Sequence, residues 1–157
     1  MRWPLWKKSG APRRKEHAGE ASPRLSVYVA RAGQVSAELL ALSSALLYVP
    51  AEEIPALPPL AIPAGTLWAV LPRIYTDADR PRLLRLLQAA AERGAAGAAV
   101  SNLGHLPLCR EAGLPMRGDW GLNVTNSETL RFLQRAGLRS AAVSFELRAE
   151  QIRDLDK

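Results

Sequence analysis

From residue 25 onward the sequence alternates short apolar runs with amphipathic stretches, and this alternation limits the possible folds more than any other feature. Short apolar runs separated by helical stretches are typical of parallel β-strands joined by crossover helices. We predict six strands, over residues 25–30, 45–49, 67–71, 98–101, 115–124 and 141–145. A βα series of this kind predicts an α/β fold, either a barrel or an open, doubly wound sheet.

Three of the stretches between strands have the apolar spacing of helices, at residues 32–44, 81–93 and 127–136. Asn126 or Ser127 is placed to cap the third helix at its start. Gly94 and Gly137 follow the second and third helices, where a C-terminal cap is expected. Residues 50–65 contain five prolines, so we predict an extended connection there in place of a helix.

The barrel is the favoured arrangement, because no predicted strand is followed by the G-x-G-x-x-G turn of dinucleotide-binding sheets. Six strands are too few to close the usual eight-stranded ring. We therefore predict a TIM-barrel-like βα repeat of about six parallel strands that forms an incomplete barrel. Its open edge would expose unpaired backbone groups, so a chain that supplies the missing strands is an expected partner.

The formal charge of +6 is distributed unevenly along the chain. Residues 1–24 hold seven basic and two acidic side chains, whereas the remaining residues hold 14 basic and 13 acidic ones. The first segment contains Pro and Gly without regular periodicity, so we predict a basic flexible tail over residues 1–24 and a domain over residues 25–157. The tail is expected to be a solvated linker or to contact RNA phosphates.

Neither a membrane segment nor an internal disulfide is predicted. The sequence has no apolar run of about 18 residues, so we expect a cytoplasmic location and no membrane partner. Its one cysteine, Cys109, cannot by itself form a structural zinc site, and we predict no metal and no cofactor in this chain. His105 lies four residues before Cys109, but Pro107 between them argues against a regular helix and a Cys/His site.

Polar residues stand where the predicted strands end, and the carboxyl ends of the strands carry the active site in βα-barrels. Glu146 follows an apolar strand, where burial would favour its protonated form and suit proton transfer, so it is the candidate catalytic residue. An ion pair with an arginine is the alternative for Glu146. The candidate ligand-binding residues are Arg73, Ser101, Asn102, His105, Asn123, Asn126 and Ser144.

Some of these polar residues have structural alternatives. Asn123 and Asn126 precede a predicted helix, where asparagine is as often a helix cap as a ligand contact. Arg117 and Asp119 are two residues apart in a predicted strand, so their side chains share a face. A structural ion pair between Arg117 and Asp119 is therefore expected.

Three motifs follow one another at the ends of predicted strands: S-N-L-G-H at 101–105, R-G-D-W-G-L-N-V-T-N-S at 117–127 and S-F-E-L at 144–147. In this order and spacing they resemble the U32 family, whose members are known as collagenase-like peptidases. More narrowly, they resemble the U32-like half of large bacterial proteins that also carry a DUF3656 region. The resemblance spans roughly residues 25–155 and is strongest from Val100 onward.

The resemblance implies a partial U32 domain. Full-length relatives are described as peptidases, and several act in prephenate-dependent hydroxylation of ribosomal or transfer RNA or in oxygen-independent quinone hydroxylation. Some relatives hold an iron–sulfur cluster on cysteines that follow the S-x-E-L strand. This sequence has no cysteine after that motif, so the resemblance implies that it lacks the Cys-containing catalytic part. The alternative is a non-catalytic module that docks a partner chain or RNA.

Overall fold

A computed structural model describes residues 25–42 and 46–155 of the chain, and its central element is one six-stranded sheet. The strands lie in sequence order, and each is parallel to its neighbour. Their bounds are β1 Ser26–Tyr28, β2 Leu46–Pro50, β3 Leu67–Val70, β4 Gly97–Val100, β5 Met116–Gly118 and β6 Leu138–Ala141. The predicted basic tail, residues 1–24, lies outside the described residues.

The sheet curls into a half-barrel with helices on its convex side. Crossover connections between sequential parallel strands are right-handed, and this handedness places successive helices on the same side of the sheet. The prediction of an incomplete, TIM-barrel-like α/β fold is confirmed. Within the described residues, β1 and β6 each pair with one strand and form the two open edges.

Within the described residues, the connections contain five helices: α1 Ala37–Leu40, α2 Arg80–Glu92, α3 His105–Glu111, α4 Ser127–Arg135 and α5 Ala149–Arg153. The helix α2 has 13 residues and packs its apolar face on the sheet, with Leu83 and Leu87 fully buried. In the part of the chain that the structure describes, none of the helices has the length and apolar character needed to cross a membrane.

The helices α2 and α4 lie where the apolar periodicity predicts them. Asn126 caps α4, because its side chain accepts a hydrogen bond from the Thr129 amide at 2.9 Å. Gly94 and Gly137 follow α2 and α4 with φ angles of 80° and 94°, which are left-handed values that glycine adopts without strain. These local signals are sufficient to predict both helices to within one residue at each end.

The predicted helix over residues 32–44 is wrong. Ala32–Gln34 form a 3-10 turn, and α1 is a single helical turn that starts after Ser36. Ser36 is extended, and its hydroxyl accepts a hydrogen bond from the Leu39 amide at 3.2 Å, so it starts a new helix and interrupts the preceding one. The predicted connection over residues 50–65 is confirmed, with one 3-10 turn at Ile54–Ala56.

The bounds predicted for the last two strands are also wrong. The predicted strand 115–124 ends after Gly118, because Asp119 accepts a hydrogen bond from the Trp120 amide at 2.8 Å and starts a 3-10 turn. The predicted strand 141–145 begins earlier, at Leu138, directly after the end of α4. Past its end, Val143 makes an isolated bridge to Val124. Ser144 and Glu146 therefore stand beyond β6 and not within it.

The helix α3 contradicts the expectation that Pro107 prevents a helix between His105 and Cys109. Pro107 is the third residue of α3. The first amides of a helix have no intrahelical partner, so a proline in the first turn removes no hydrogen bond. Both His105 and Cys109 consequently lie on the buried side of α3.

The two faces of the sheet differ in chemistry because side chains alternate along each strand. The convex face contributes Leu47, Val49, Leu67, Ala69 and Val100 to a core that the helices cover. The concave face instead carries aromatic and polar side chains, among them Tyr48 and Arg117. Any ligand that reaches the inside of the half-barrel therefore meets these concave residues.

Candidate functional site

Two adjoining cavities open on the concave side of the sheet and at the carboxyl ends of its strands. The first, which we call the strand-end cavity, has a volume of about 400 Å³ and follows β3, β4 and β5. The second, the concave cavity, has a volume of about 370 Å³ and lies against the strands themselves. Both volumes are in the range of small-molecule sites.

Residues from three successive strand ends line the strand-end cavity. Arg73 follows β3, Ser101 follows β4, and Asp119 and Trp120 follow β5. The Ser101 hydroxyl donates a hydrogen bond to the Asp119 carboxylate at 3.2 Å, which joins the ends of β4 and β5. A Cβ at Gly121 would lie 2.8 Å from the Ser101 side chain, so glycine permits the close approach of this turn to β4.

Two aromatic rings and a guanidinium form an exposed surface at the rim of this cavity. The Arg73 guanidinium carbon lies 4.1 Å from the centre of the Trp120 ring. The centre of the Phe145 ring lies 6.3 Å from that of Trp120. Trp120 is 44% exposed and Phe145 is 81% exposed. We call these three residues the aromatic patch, and exposure of adjacent large rings is typical of a binding surface.

The concave cavity is arranged around Arg117. Its guanidinium carbon lies 4.2 Å from the centre of the Trp68 ring, and its Nη1 donates a hydrogen bond to the Tyr48 hydroxyl at 3.2 Å. Trp68 packs closely on Gly97 of the next strand, where a Cβ would lie 2.5 Å from the indole. Tyr28 and other side chains of β1, β3, β4 and β6 complete the lining.

The family model for peptidase family U32 matches residues 62–157. The chain belongs to peptidase family U32. No match emerged among curated proteins or among solved structures. The predicted family is thus confirmed, and the narrower resemblance to DUF3656-containing proteins stays a prediction.

The matched region of this U32 domain begins before β3 and includes both the aromatic patch and Arg117. Of the predicted ligand-binding residues, Arg73 and Ser101 line the strand-end cavity together. The Asn102 side chain accepts a hydrogen bond from the Gly104 amide at 2.9 Å and shapes the turn before α3. Asn102 thus has a local structural role beside the cavity.

The other predicted polar residues of the U32 domain also have local structural roles. Asn126 caps α4, in agreement with the capping alternative. Asn123 is exposed and adopts a left-handed conformation with φ of 48°, which ends the turn after β5. Ser144 is buried, and its hydroxyl accepts a hydrogen bond from the Glu146 amide at 3.4 Å. Ligand contact by these residues stays a prediction.

Glu146 has a different environment from the one expected for a buried acid. Its side chain is exposed, because β6 ends at Ala141 and Glu146 lies in the turn before α5. The prediction that Glu146 is buried, and for that reason suited to proton transfer, is therefore wrong. The neighbouring Phe145 is exposed as well, so this turn projects its side chains away from the core.

His105 and Cys109 belong to the core of the U32 domain. Both side chains are fully buried, and the His105 ring packs edge-on against Tyr75 with ring centres 5.4 Å apart. Burial lowers the pKa of His105 to about 4, and the nearby Pro72 carbonyl opposes this shift without forming a regular hydrogen bond. Burial raises the pKa of the Cys109 thiol to about 12. A Cys/His nucleophile is therefore not supported.

We expect the Cys109 thiol to react with Ellman's reagent at neutral pH only when the domain unfolds. The reason is that the thiolate is the reacting form, and burial both hides the sulfur and disfavours its ionisation. The measurement is the rate of thiol modification in buffer and in denaturing urea. Rapid, stoichiometric reaction of the native protein would contradict the burial of α3.

Metal ligands do not cluster in the region that the structure describes. Among residues 25–42 and 46–155, no group of three or more His, Cys, Asp or Glu side chains is placed to hold a metal ion. An iron–sulfur cluster requires several cysteine thiolates. The one cysteine of this sequence, Cys109, is buried in the core, so the chain's residues do not fit such a cluster.

Sequence reasoning missed five aromatic residues and the roles of Arg117 and Asp119; the aromatic residues are Tyr28, Tyr48, Trp68, Trp120 and Phe145. The expected ion pair between Arg117 and Asp119 is wrong, since Arg117 contacts Tyr48 and Trp68 and Asp119 contacts Ser101. One signal was present in the sequence. Aromatic residues in otherwise aliphatic strands indicate positions that do not belong to the covered core face.

Proposed function

We propose that this U32 domain takes part in RNA modification and that the aromatic patch holds a nucleobase at the strand-end cavity. The observation that carries this proposal is the exposed cluster of Arg73, Trp120 and Phe145 beside a cavity of about 400 Å³. Unpaired bases bind proteins by stacking on aromatic rings and arginine planes. The resemblance to U32 relatives that hydroxylate ribosomal or transfer RNA with prephenate supports the same activity.

Peptide hydrolysis receives less support from the described residues. The Cys109 thiol is buried and un-ionised, and the Ser101 hydroxyl is hydrogen-bonded to Asp119. Nucleophilic catalysis by serine needs an adjacent base, which is commonly a histidine. His105, the histidine in the described part of the chain, is enclosed in the core with Tyr75. The structure thus supports a binding surface better than a protease nucleophile.

Trp120→Ala is expected to weaken binding of a single-stranded RNA oligonucleotide by about 1–3 kcal/mol, because one base loses its stacking partner. Fluorescence anisotropy of a labelled oligonucleotide with the full chain measures this change at fixed salt concentration. Phe132→Ala is the matched control, since Phe132 is 48% exposed but lies on α4, away from both cavities. Equal losses in the two variants would contradict the proposal.

The salt dependence of binding separates the aromatic patch from the basic tail. Contacts between tail residues and phosphates would make the logarithm of the affinity fall linearly with the logarithm of salt concentration. Trp120→Ala removes no charge, so it is expected to lower affinity by the same factor at each salt concentration. No effect of Trp120→Ala at any salt concentration would assign RNA binding to the tail alone.

The open edges of the half-barrel support a second proposal, namely that another chain docks on the sheet. Leu25 and Tyr28, at the β1 edge, are 51% and 61% exposed. Exposed strand edges and apolar side chains favour pairing with another strand. Light scattering of the purified protein tests self-association, and a concentration-independent mass of 17.1 kDa would exclude a second copy as this partner.

A further inference from the structure

Large apolar side chains are exposed on the loops that follow four successive strands. One follows each of β3, β4, β5 and β6, and together they form what we call the apolar rim: Ile74, Leu103, Trp120 and Phe145. Ile74 is 84% exposed and Leu103 is 51% exposed. Their two loops touch, because the Asn102 amide donates a hydrogen bond to the Arg73 carbonyl at 3.5 Å. Exposed apolar side chains along one edge of a domain are typical of a docking surface.

The N-terminal sequence contains a segment of matching chemistry. Residues 3–6 read W-P-L-W and hold two of the four tryptophans of the chain. Residues 7–24 contain no large apolar side chain, only alanine, proline, glycine, polar and charged residues. An aromatic segment is therefore joined to the domain through 18 residues that have the composition of a linker.

This linker is long enough to bring the segment to the apolar rim. Adjacent strands lie about 4.8 Å apart and a strand advances about 3.3 Å per residue, so Leu25 is about 25 Å from the end of β5. A linker of 18 residues has a root-mean-square length of about 23 Å and reaches about 60 Å when extended. A linker whose length matches the span gives the highest effective concentration, which is about millimolar.

The segment suits the rim better than the open edge of β1. A strand that adds to an edge is held through backbone N–H donors, and Pro4 has no such donor. The residue before a proline favours extended or polyproline conformations, and chains of that kind bind surfaces lined with aromatic rings. Trp120 and Phe145, with ring centres 6.3 Å apart, form a surface of this type.

Charges near the rim are complementary to those beside the segment. Lys7 and Lys8 directly follow W-P-L-W. Asp77 and Glu146 are close in sequence to rim residues, and both are exposed. In the part of the chain that the structure describes, neither carboxylate forms an ion pair. The two carboxylates are therefore available to the two lysines.

We infer that residues 3–6 of this chain dock on the apolar rim, with a tryptophan of the segment against Trp120, Phe145 and the Arg73 guanidinium. A guanidinium stacks favourably on an indole, and Arg73 is exposed on the side that does not face Trp120. A segment with a dissociation constant of about millimolar covers the rim in about half of the molecules at this effective concentration. The rim shares two residues with the aromatic patch, so the segment competes with RNA there; only this competition rests on the proposed function.

Paramagnetic relaxation in the full chain tests the docking without RNA. Ser9→Cys introduces a reactive thiol close to the segment, whereas the Cys109 thiol is buried. A nitroxide on residue 9 is expected to broaden the amide signals of the rim more than those of Leu25 and Tyr28. Trp3→Ala combined with Trp6→Ala is expected to reduce this broadening by at least half, and so is Phe145→Ala. Phe132→Ala, at an exposed position of α4, is the matched control and is expected to retain it.

Three results would overturn the docking. The first is broadening that is strongest at Leu25 and Tyr28, which would place the segment at the β1 edge. The second is equal broadening with and without the two tryptophans. The third is the same broadening in an isotope-labelled copy that is mixed with a spin-labelled copy, which would make the occupant the tail of a second chain.

The RNA assay separates this inference from the proposed function. Trp3→Ala combined with Trp6→Ala removes no charge and uncovers the rim, so it is expected to raise the affinity for RNA by about twofold, opposite in sign to Trp120→Ala. Unchanged RNA affinity in a protein with rim broadening would support the docking and contradict base binding at the patch. A loss of RNA affinity would overturn the competition, because it would show that the two tryptophans contact RNA themselves.

Discussion

Gly97→Ala is expected to lower the free energy of unfolding by about 3 kcal/mol, which is a large share of the stability of a small domain. A Cβ at this position would lie 2.4 Å from the Pro115 carbonyl oxygen and 2.5 Å from the Trp68 ring. The first contact involves the backbone of the connection into β5, and the second involves a side chain that is almost fully buried. Neither can move without disturbing the pairing of β3, β4 and β5. Urea denaturation followed by circular dichroism measures the change.

Gly33→Ala is the matched control for this prediction. Gly33 lies in the 3-10 turn after β1, and a Cβ there would have no atom within 4 Å. Its free energy of unfolding is expected to stay within about 0.5 kcal/mol of the wild-type value, as for surface substitutions in general. If Gly97→Ala is as stable as Gly33→Ala, Trp68 does not pack on β4 as the structure describes, and its support of Arg117 is also in doubt.

The free energy of unfolding is expected to fall by about 3 kcal/mol as the pH is lowered from 6.5 to 4, because His105 is buried without charge. The unfolded chain binds a proton near pH 6.5, whereas burial holds the pKa of folded His105 at about 4. Between these values the unfolded state binds more protons, so acid stabilises it relative to the folded state. The contribution is fully present above pH 6.5 and is lost as the pH falls to 4.

Urea denaturation between pH 5 and 7 measures the larger part of this loss while most carboxylates stay ionised. His17, the second histidine of the chain, lies outside the described residues, so all measurements use a His17→Gln background. His105→Leu in that background keeps an apolar group in the core and removes the titrating ring. A flat profile for His105→Leu and a sloping one for its parent are expected. Equal slopes in the two proteins would show that His105 is not the group responsible.

Gly97, Trp68 and Arg117 connect the packing of the sheet to the concave cavity. The absence of a side chain at Gly97 allows the Trp68 ring to pack closely against β4. That ring in turn supports the Arg117 guanidinium at 4.2 Å. A change at Gly97 is therefore expected to displace the Arg117 guanidinium even in the molecules that still fold. Stability and ligand recognition share these residues because the concave face is both sheet surface and cavity wall.

Local sequence patterns were sufficient to predict the architecture and the helices that have a clear apolar periodicity. Six apolar runs predicted six parallel strands, and the Asn126 cap and Gly137 predicted the bounds of α4. The same reasoning failed where a side chain interrupts an element by bonding to nearby backbone. Ser36 shortens the first helical segment, and Asp119 ends β5 after three residues. Such interruptions depend on a rotamer, which periodicity does not reveal.

The sequence by itself determined the fold class, the family and two of the residues that line the strand-end cavity, Arg73 and Ser101. These follow from hydrophobic alternation and from motifs at strand ends, which are properties of neighbouring residues. The tertiary structure alone decided that Arg117 contacts Tyr48, which is 69 residues away. It also placed Arg73 on Trp120 and enclosed His105 in the core. Contacts of this kind depend on the register and curvature of the sheet, and no local pattern encodes either.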